Sequence, residues 1–462
     1  MLCTALLYGL SLAPTVLWGD DAMFQMALAR GSLTNHPLWG ILARVFARVP
    51  LGDMAFRANL ASSVYAVGAI TFLYLAALGA GGGVRAALGA GITLAISHTF
   101  WLESVRAEVY TLHLMLFFAG LWMLLRWRSA PQHQLWLCGG LILWGVGTVN
   151  HLLLTVALPG GLWLILSSLP PAARKRALVE VLAALVLSLL ALWLFARGFL
   201  MEVVVGAARV VLETFSLSPS RLVMHLVLLV YQTPLLGLFS VPGTRWLWGR
   251  DRVLFLALGC MGVCTAVFAS THGILESYVF YLPGIGLLAL LIGLGIEQRT
   301  SSWPAKQWLV AAVIVVCLQA ALYRITPLVV NRFAPGVIPS RNLPGRDAAT
   351  FFLWPPKRGY LGARRFAETT LKLLPPNSML IADWTLQTPI CYLQEVENHR
   401  TDVLVVQVDP IGMSAIWQNE GQRPLYLSNA DPRYYPMDEL RAEFRLIPVG
   451  HIYELRKAED NP

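Results

Sequence analysis

Long apolar runs broken by short polar clusters fill the first 330 residues of this 462-residue chain. A helix of about 20 apolar residues crosses the hydrocarbon core of a bilayer. Eleven such runs are read, centred on 2–18, 59–79, 86–100, 109–125, 135–149, 152–168, 178–196, 222–241, 253–270, 278–296 and 308–325. The first lacks a basic leader and a small-x-small cleavage site, so it reads as a retained helix. Between the first two runs, residues 19–58 form the longest loop. Within it Leu38, Trp39, Ile41, Leu42, Val45, Phe46 and Val49 make an apolar helical stripe with Arg44 and Arg48 one turn apart, the pattern of an interfacial helix. After residue 330 the pattern changes. A helix over 359–374 stopped by Pro375 and Pro376, a strand over 377–382, a helix over 386–397, a strand over 403–408, and later strands at 425–427 and 444–455 predict a small α/β domain.

Composition agrees with this division. The chain is 56% hydrophobic and 13% charged, about half the charge of an ordinary soluble domain, and its mean hydropathy is +0.61. Residues 1–330 hold 20 Lys and Arg against 11 Asp and Glu, whereas residues 331–462 hold 15 of each. The net charge of +9 therefore belongs to the apolar part, where loop cations set orientation, and no nucleic-acid partner is needed to explain it. With a cytoplasmic N-terminus the inner loops carry eleven Lys and Arg (such as Arg85, Arg126, Arg128, Arg174 and Arg250) against Asp251 and Glu297. That orientation puts loop 19–58 and the tail outside the cytoplasm. The expected architecture is a polytopic α-helical membrane protein of about eleven transmembrane helices (1–330) with a small extracytoplasmic C-terminal α/β domain (331–462). Five of the six cysteines lie in apolar runs and suggest neither disulfides nor a metal site.

On that outer face the polar residues gather. Trp18-Gly19-Asp20-Asp21 puts two carboxylates at the end of the first run, where they cap a helix or serve chemistry. His36, His98, Trp101, Glu103, Arg106, Glu108, Tyr110, His113, Asn150, His151, His272, Glu276 and Tyr278 fall at the outer ends of other runs. Each alone suits an interface, but a purely structural bundle has no reason to collect so many on one face. Gly284 to Ala289, half a dinucleotide fingerprint, lies inside an apolar run and reads as helix packing.

The order of these features resembles the GT-C superfamily of membrane glycosyltransferases. A narrower likeness is carried by Trp18 to Gln25, Asn35-His36-Pro37-Leu38, Thr99-Phe100-Trp101, Ala107 to Leu112, Asn150-His151, Glu276 to Pro283, Ile381 to Trp384, Tyr392 to Val396 and Arg400 to Val403. These resemble the transmembrane protein 260-like family of protein O-mannosyltransferases. Asp21 stands where that family shows Ser, and Met23 where it shows Glu. The resemblance implies transfer of a sugar, mannose in the family, from a polyprenyl phosphate to a hydroxyl of a protein or glycan acceptor outside the membrane. It implies Asp20 as general base with Asp21 beside it. Arg106 or the rim histidines would hold the phosphate, and Asp21, Glu108 and His36 would orient substrate or bind a divalent cation. Trp101, Tyr110, Asn150, His151, His272 and Glu276 would line the substrate pocket. No other cofactor is implied.

Asp383 and Trp384 read better as a buried strand-end acid and a core tryptophan than as acceptor contacts. Two other functions use the same spans: a transferase or polymerase acting on lipid or cell-wall glycans, and a transporter or flippase. The transporter reading predicts repeated halves and polar groups at mid-membrane, which this sequence lacks. The absence of Asn-x-Ser/Thr sequons points to a bacterial cytoplasmic membrane.

Overall fold

The computed structural model describes residues 1–458 except 173, 176–178, 180, 184–185, 188–189, 191–208, 210–211, 217, 275, 339, 410–412, 415–417 and 420. The chain opens with α1 (Leu2–Ser11), α2 (Asp20–Arg30) and α3 (Pro37–Ala47). Then come α4 (Met54–Gly79), α5 (Val84–Ala95), α6 (His98–Ser104), α7 (Tyr110–Ser129), α8 (Gln134–Asn150) and α9 (Leu158–Ser167). After residue 217, α10 (Pro219–Gln232), α11 (Ser240–Arg250), α12 (Arg252–Thr271), α13 (Leu282–Thr300) and α14 (Ala305–Phe333) complete the apolar part.

Among the described residues α4, α7, α12, α13 with its preceding turn, and α14 are long and apolar enough to cross a membrane. The pair Pro219–Gln232 and Gly237–Arg250 makes a sixth span if taken together, although it bends by 89°. The runs at 86–100, 135–149 and 152–168 become the shorter helices α5, α8 and α9, and the run at 178–196 lies largely outside the described residues. The run at 2–18 departs furthest from expectation, being helical only to Ser11. Pro14 lacks a donor and pushes Ala13 out of the helical region. The chain instead turns extended at Leu12, and the Ala13 N–H donates to the Val105 carbonyl at 3.0 Å.

Glycines let the helices approach closely, as the sequence suggested for 284–289. A Cβ on Gly286 would lie 2.3 Å from the Phe118 ring, and one on Gly293 2.2 Å from the Ala86 carbonyl, so α13 admits the Phe118 ring of α7 and meets the backbone of α5 directly. In loop 19–58, α3 exposes Ile41, Leu42 and Val45, while Trp39 turns inward against Phe24 at 4.9 Å between ring centroids. Arg44 donates to the Gly31 carbonyl.

The tail begins with α15 (Ala348–Leu353) and α16 (Gly362–Leu373). β1 (Met379–Ala382), α17 (Trp384–Glu397), β2 (Leu404–Gln407), β3 (Leu425–Leu427), α18 (Met437–Glu443), β4 (Phe444–Val449) and β5 (Ile452–Lys457) follow. The sheet order is β2-β1-β3-β5-β4, with β1 parallel to both neighbours and the β4–β5 hairpin antiparallel. Its core is not its own. Ala13, Val16, Leu17, Trp18, Ala22 and Ala55 pack into one cluster with Leu380, Leu386, Tyr392 and their neighbours. Polar contacts reinforce that seam: the Ala55 N–H donates to the Tyr392 hydroxyl at 3.0 Å, and Trp18 Nε1 donates to the Tyr360 hydroxyl at 2.7 Å. The tail therefore lies directly over the Trp18-Gly19-Asp20-Asp21 corner.

Candidate functional site

Gly19 has φ +61° and ψ −127°, a conformation in which a side chain is strained, and it turns the extended segment into the first turn of α2. That turn carries Asp20 and Asp21, where the helix dipole favours negative charge. Opposite it, α6 ends at Ser104 and an irregular stretch carries Arg106 and Glu108. The stretch is held against α4 by Ser62, whose hydroxyl both accepts from the Glu108 N–H and donates to the Glu108 carbonyl at 3.0 Å.

Arg106 sits at the centre of an acidic ring. It contacts Glu103 at 2.8 Å, Asp21 at 3.4 Å, Glu276 at 3.8 Å and Glu108 at 3.9 Å, and its side chain is 4% exposed. One guanidinium cannot neutralise four carboxylates, so burial acts on the excess. Burial pushes the Asp21 carboxyl up to about 8 against the pull of Arg106. It raises Glu103 and Glu108 in the same direction. Among the described residues no three His, Cys, Asp or Glu side chains converge on a metal position, and the Arg106 guanidinium stands at the centre of the four carboxylates.

Asp20 differs from its neighbour. It is exposed, and its Oδ1 accepts from Trp384 Nε1 at 2.7 Å. Asp20, Asp21, Arg106, Glu108, Glu276, Ser340, Arg341, Arg346, Trp384 and Tyr434 are among the residues around a cavity of about 190 Å³. Arg341 and Arg346 are buried. Arg341 pairs with Asp383 and stacks 3.9 Å from the Tyr434 ring centre, while Arg346 donates to the Ser340 hydroxyl and the Arg341 carbonyl. Arg341 Nη1 and Arg346 Nε have no hydrogen-bond partner. Lys357, buried nearby, donates to the Trp354 and Pro355 carbonyls, and burial lowers it to about 7 with Arg106 adding to the effect.

A second cavity, of about 610 Å³, adjoins the first through Glu276, Ser340 and Phe352. Its walls include Met224, Leu228, Ile274, Tyr278, Ile338 and Leu353 from α10, the turn before α13 and the tail linker. Ser218, Arg221, His225 and Ser277 stand among them, so the cavity surface is predominantly apolar with polar groups in its wall.

The remaining expected residues form a neighbouring group. His36 Nδ1 lies 2.6 Å from the Asn150 carbonyl, and its ring stacks on His151 at 5.0 Å. Tyr110, His151 and His272 all pack on Phe280, and Asn150 donates to the Val109 carbonyl. The structure thus gathers His36, Tyr110, Asn150, His151 and His272 but lines neither cavity with them. Trp101 lies in the helix core with its Nε1 bonded to the Ser11 hydroxyl at 2.9 Å, and it too lines neither cavity. Trp384, expected in the core, is 39% exposed and points at Asp20. Asp383 is buried, as expected, between Arg341 and the Tyr435 hydroxyl.

Residues 34–173 match the family described as the Protein O-mannosyl-transferase TMEM260 N-terminal domain, a stretch that includes His36, Trp101, Arg106, Glu108, Tyr110, Asn150 and His151. The fold is similar to that of ArnT from Cupriavidus metallidurans bound to undecaprenyl phosphate, with TM-score 0.60 and 16% identity over 100% of this chain and 98% of that one. Apo ArnT from the same organism gives 0.61 and 17% over 97% and 95%. The archaeal oligosaccharyltransferase AglB from Archaeoglobus fulgidus, in complex with an inhibitory peptide and a dolichol-phosphate, gives 0.55 and 11% over 100% and 74%. Over residues 34–173 the chain is similar to this family, and over its length it has the fold seen in ArnT and AglB. No curated protein matches it in sequence.

The site residues that sequence reasoning missed, Arg341, Arg346 and Lys357, all lie in the Pro-, Gly- and Arg-rich segment between the last apolar run and the helix expected over 359–374. One signal was available. Phe351-Phe352-Leu353-Trp354 in a segment of that composition is too apolar for a free linker, and it marks burial of the neighbouring cations.

Proposed function

We propose that this enzyme transfers a sugar, mannose on the family resemblance, from a polyprenyl phosphate to an acceptor hydroxyl, with protein Ser or Thr as acceptor on that same resemblance. The observation that carries the reading is that the larger, predominantly apolar cavity shares Glu276, Ser340 and Phe352 with the carboxylate-lined chamber. A polyprenyl chain suits the larger cavity and a sugar phosphate suits the chamber. The ArnT and AglB structures that share the fold hold undecaprenyl phosphate and a dolichol-phosphate. The eleven cations against two acids in the inner loops support an N-terminus in the cytoplasm, and hence a chamber and tail on the outer face. On this reading residues 1–330 are the transmembrane transferase part and 331–462 the soluble part that covers it.

In the proposed reaction the acceptor oxygen attacks the anomeric carbon, the bond from that carbon to the phosphate oxygen breaks, and the configuration inverts. The leaving phosphate passes from diester to monoester and gains negative charge, so cations placed there act most strongly in the transition state. Arg346 and Arg341 suit this role because each is buried with an N–H unpartnered in the chamber wall. Arg106 suits it less, since its N–H groups already face four carboxylates. Asp20 is the base: it is exposed to an acceptor arriving from outside and stands at the chamber rim. A weak base suffices, because the hydroxyl becomes acidic as it bonds to an oxocarbenium-like carbon.

Purified enzyme incubated with a panel of polyprenyl-phosphate sugars is expected to release polyprenyl phosphate from one of them. Release from none, with sugar nucleotides used instead, overturns the donor class. Arg346→Gln is expected to lower kcat/KM for the donor about 10- to 100-fold, mostly through kcat, the effect of losing one charged hydrogen bond in the transition state. An unchanged kcat/KM would return the phosphate to Arg106 or to the rim histidines.

A further inference from the structure

The soluble tail reaches the chamber through one side chain in particular. Trp384 begins α17 immediately after β1 and Asp383. Its backbone position is fixed from behind. The Tyr435 hydroxyl donates to Asp383 Oδ2 at 2.7 Å and accepts from the Asp383 N–H at 3.0 Å, Arg341 pairs with the same carboxylate, and Ser428 meets the Tyr435 hydroxyl at 2.8 Å. So anchored, the indole projects out of the tail, where it remains 39% exposed. Its edge passes Gly19, where a Cβ would come within 3.9 Å of Nε1, and the N–H ends on Asp20 Oδ1 at 2.7 Å.

A large aromatic left this exposed, with its N–H spent on an acid 364 positions away, needs a reason other than packing. Asp20 stands in the first turn of its helix, and no cation is paired with it among the contacts of the described residues. Held only by its backbone, an exposed carboxylate samples several rotamers, and a base must be fixed before it can accept a proton along one direction.

We propose that Trp384 is a positioning residue for Asp20: the indole N–H holds Oδ1 and leaves Oδ2 turned to the incoming acceptor hydroxyl, so that the soluble tail completes the active site. The inference rests on Asp20 being the base and extends that reading to the function of the tail. It also accounts for the shared core between the tail and residues 13–55, because a 2.7 Å contact between distant segments requires both to be held rigidly.

Trp384→Phe keeps the ring and removes the N–H. Turnover of the full-length enzyme in nanodiscs is expected to fall about 10- to 100-fold, with the donor KM and the unfolding temperature unchanged. The decisive measurement is a double-mutant cycle with Asp20→Asn, because a residue acting through Asp20 has nothing left to position once that carboxylate is gone. Adding Trp384→Phe to Asp20→Asn should therefore cost less than 2-fold. If the two losses multiply, Trp384 acts independently of Asp20 and the proposal is overturned. A rise in turnover in Trp384→Phe also overturns it, making the contact a block on the base. An Asp20→Asn enzyme that works normally sinks the base assignment itself, an outcome separate from either of these.

Discussion

Asp20→Asn is expected to lower turnover about 10²- to 10⁴-fold, the range for lost general-base assistance, while leaving the donor KM and thermal stability in place. Asparagine keeps the shape of the side chain and the acceptor for Trp384 Nε1, so only the proton-accepting charge is removed. Stability should hold because Asp20 is exposed. Asp21→Asn is the control, and the structure sharpens its meaning. Burial raises the Asp21 carboxyl and so favours its neutral form, which asparagine resembles, and activity near pH 7 should change little. Should Asp20→Asn keep wild-type transfer while Asp21→Asn is dead, the base is the second carboxylate. If both remain active, Glu108 becomes the first candidate.

What the sequence disclosed follows from how local each signal was. Met379 to Ala382 is a continuous apolar run, as a parallel strand buried on both faces requires, and Pro375-Pro376 is an unambiguous helix stop. The tail was therefore legible nearly element by element. The short helices Ala348–Leu353 and Met437–Glu443 escaped because six or seven residues carry too little periodicity. Hydropathy alone misread residues 12–18: a buried extended chain and a membrane helix are equally apolar, and only Pro14 separated them. In the site, the carboxylates and Arg106 were visible as polar residues at run ends, and their meeting in space follows from those ends sharing a face. Trp384 and Arg346 were not visible in this way. Their positions depend on the tail folding over loop 19–58, a contact between segments more than 300 residues apart that no window of sequence reports.

Arg106 offers the other large effect, and it concerns the fold before the chemistry. Removing one partner of a buried ion pair leaves an uncompensated charge and costs about 3–5 kcal/mol; here four carboxylates share the one guanidinium. Arg106→Ala should therefore destabilise the protein by about that amount near neutral pH, whereas Arg106→Lys, which keeps the charge but lacks the planar five-donor fork, should lose less. The sign of the pH dependence separates this account from simple loss of packing. Burial raises the carboxyls of Asp21, Glu103 and Glu108 above their unfolded values, so the native state holds protons that the unfolded chain has released. Stability from these groups consequently falls as pH rises from the unfolded carboxylate range of about 4. Without Arg106 to favour the ionised forms that fall becomes steeper, and the deficit of Arg106→Ala should shrink as pH is lowered from 7.5 to 5. Thermal unfolding of both proteins in the same detergent at the two pH values is the measurement. A deficit of equal size at both would show that Arg106 contributes through its packing volume, and the charge balance assigned to this ring would be wrong.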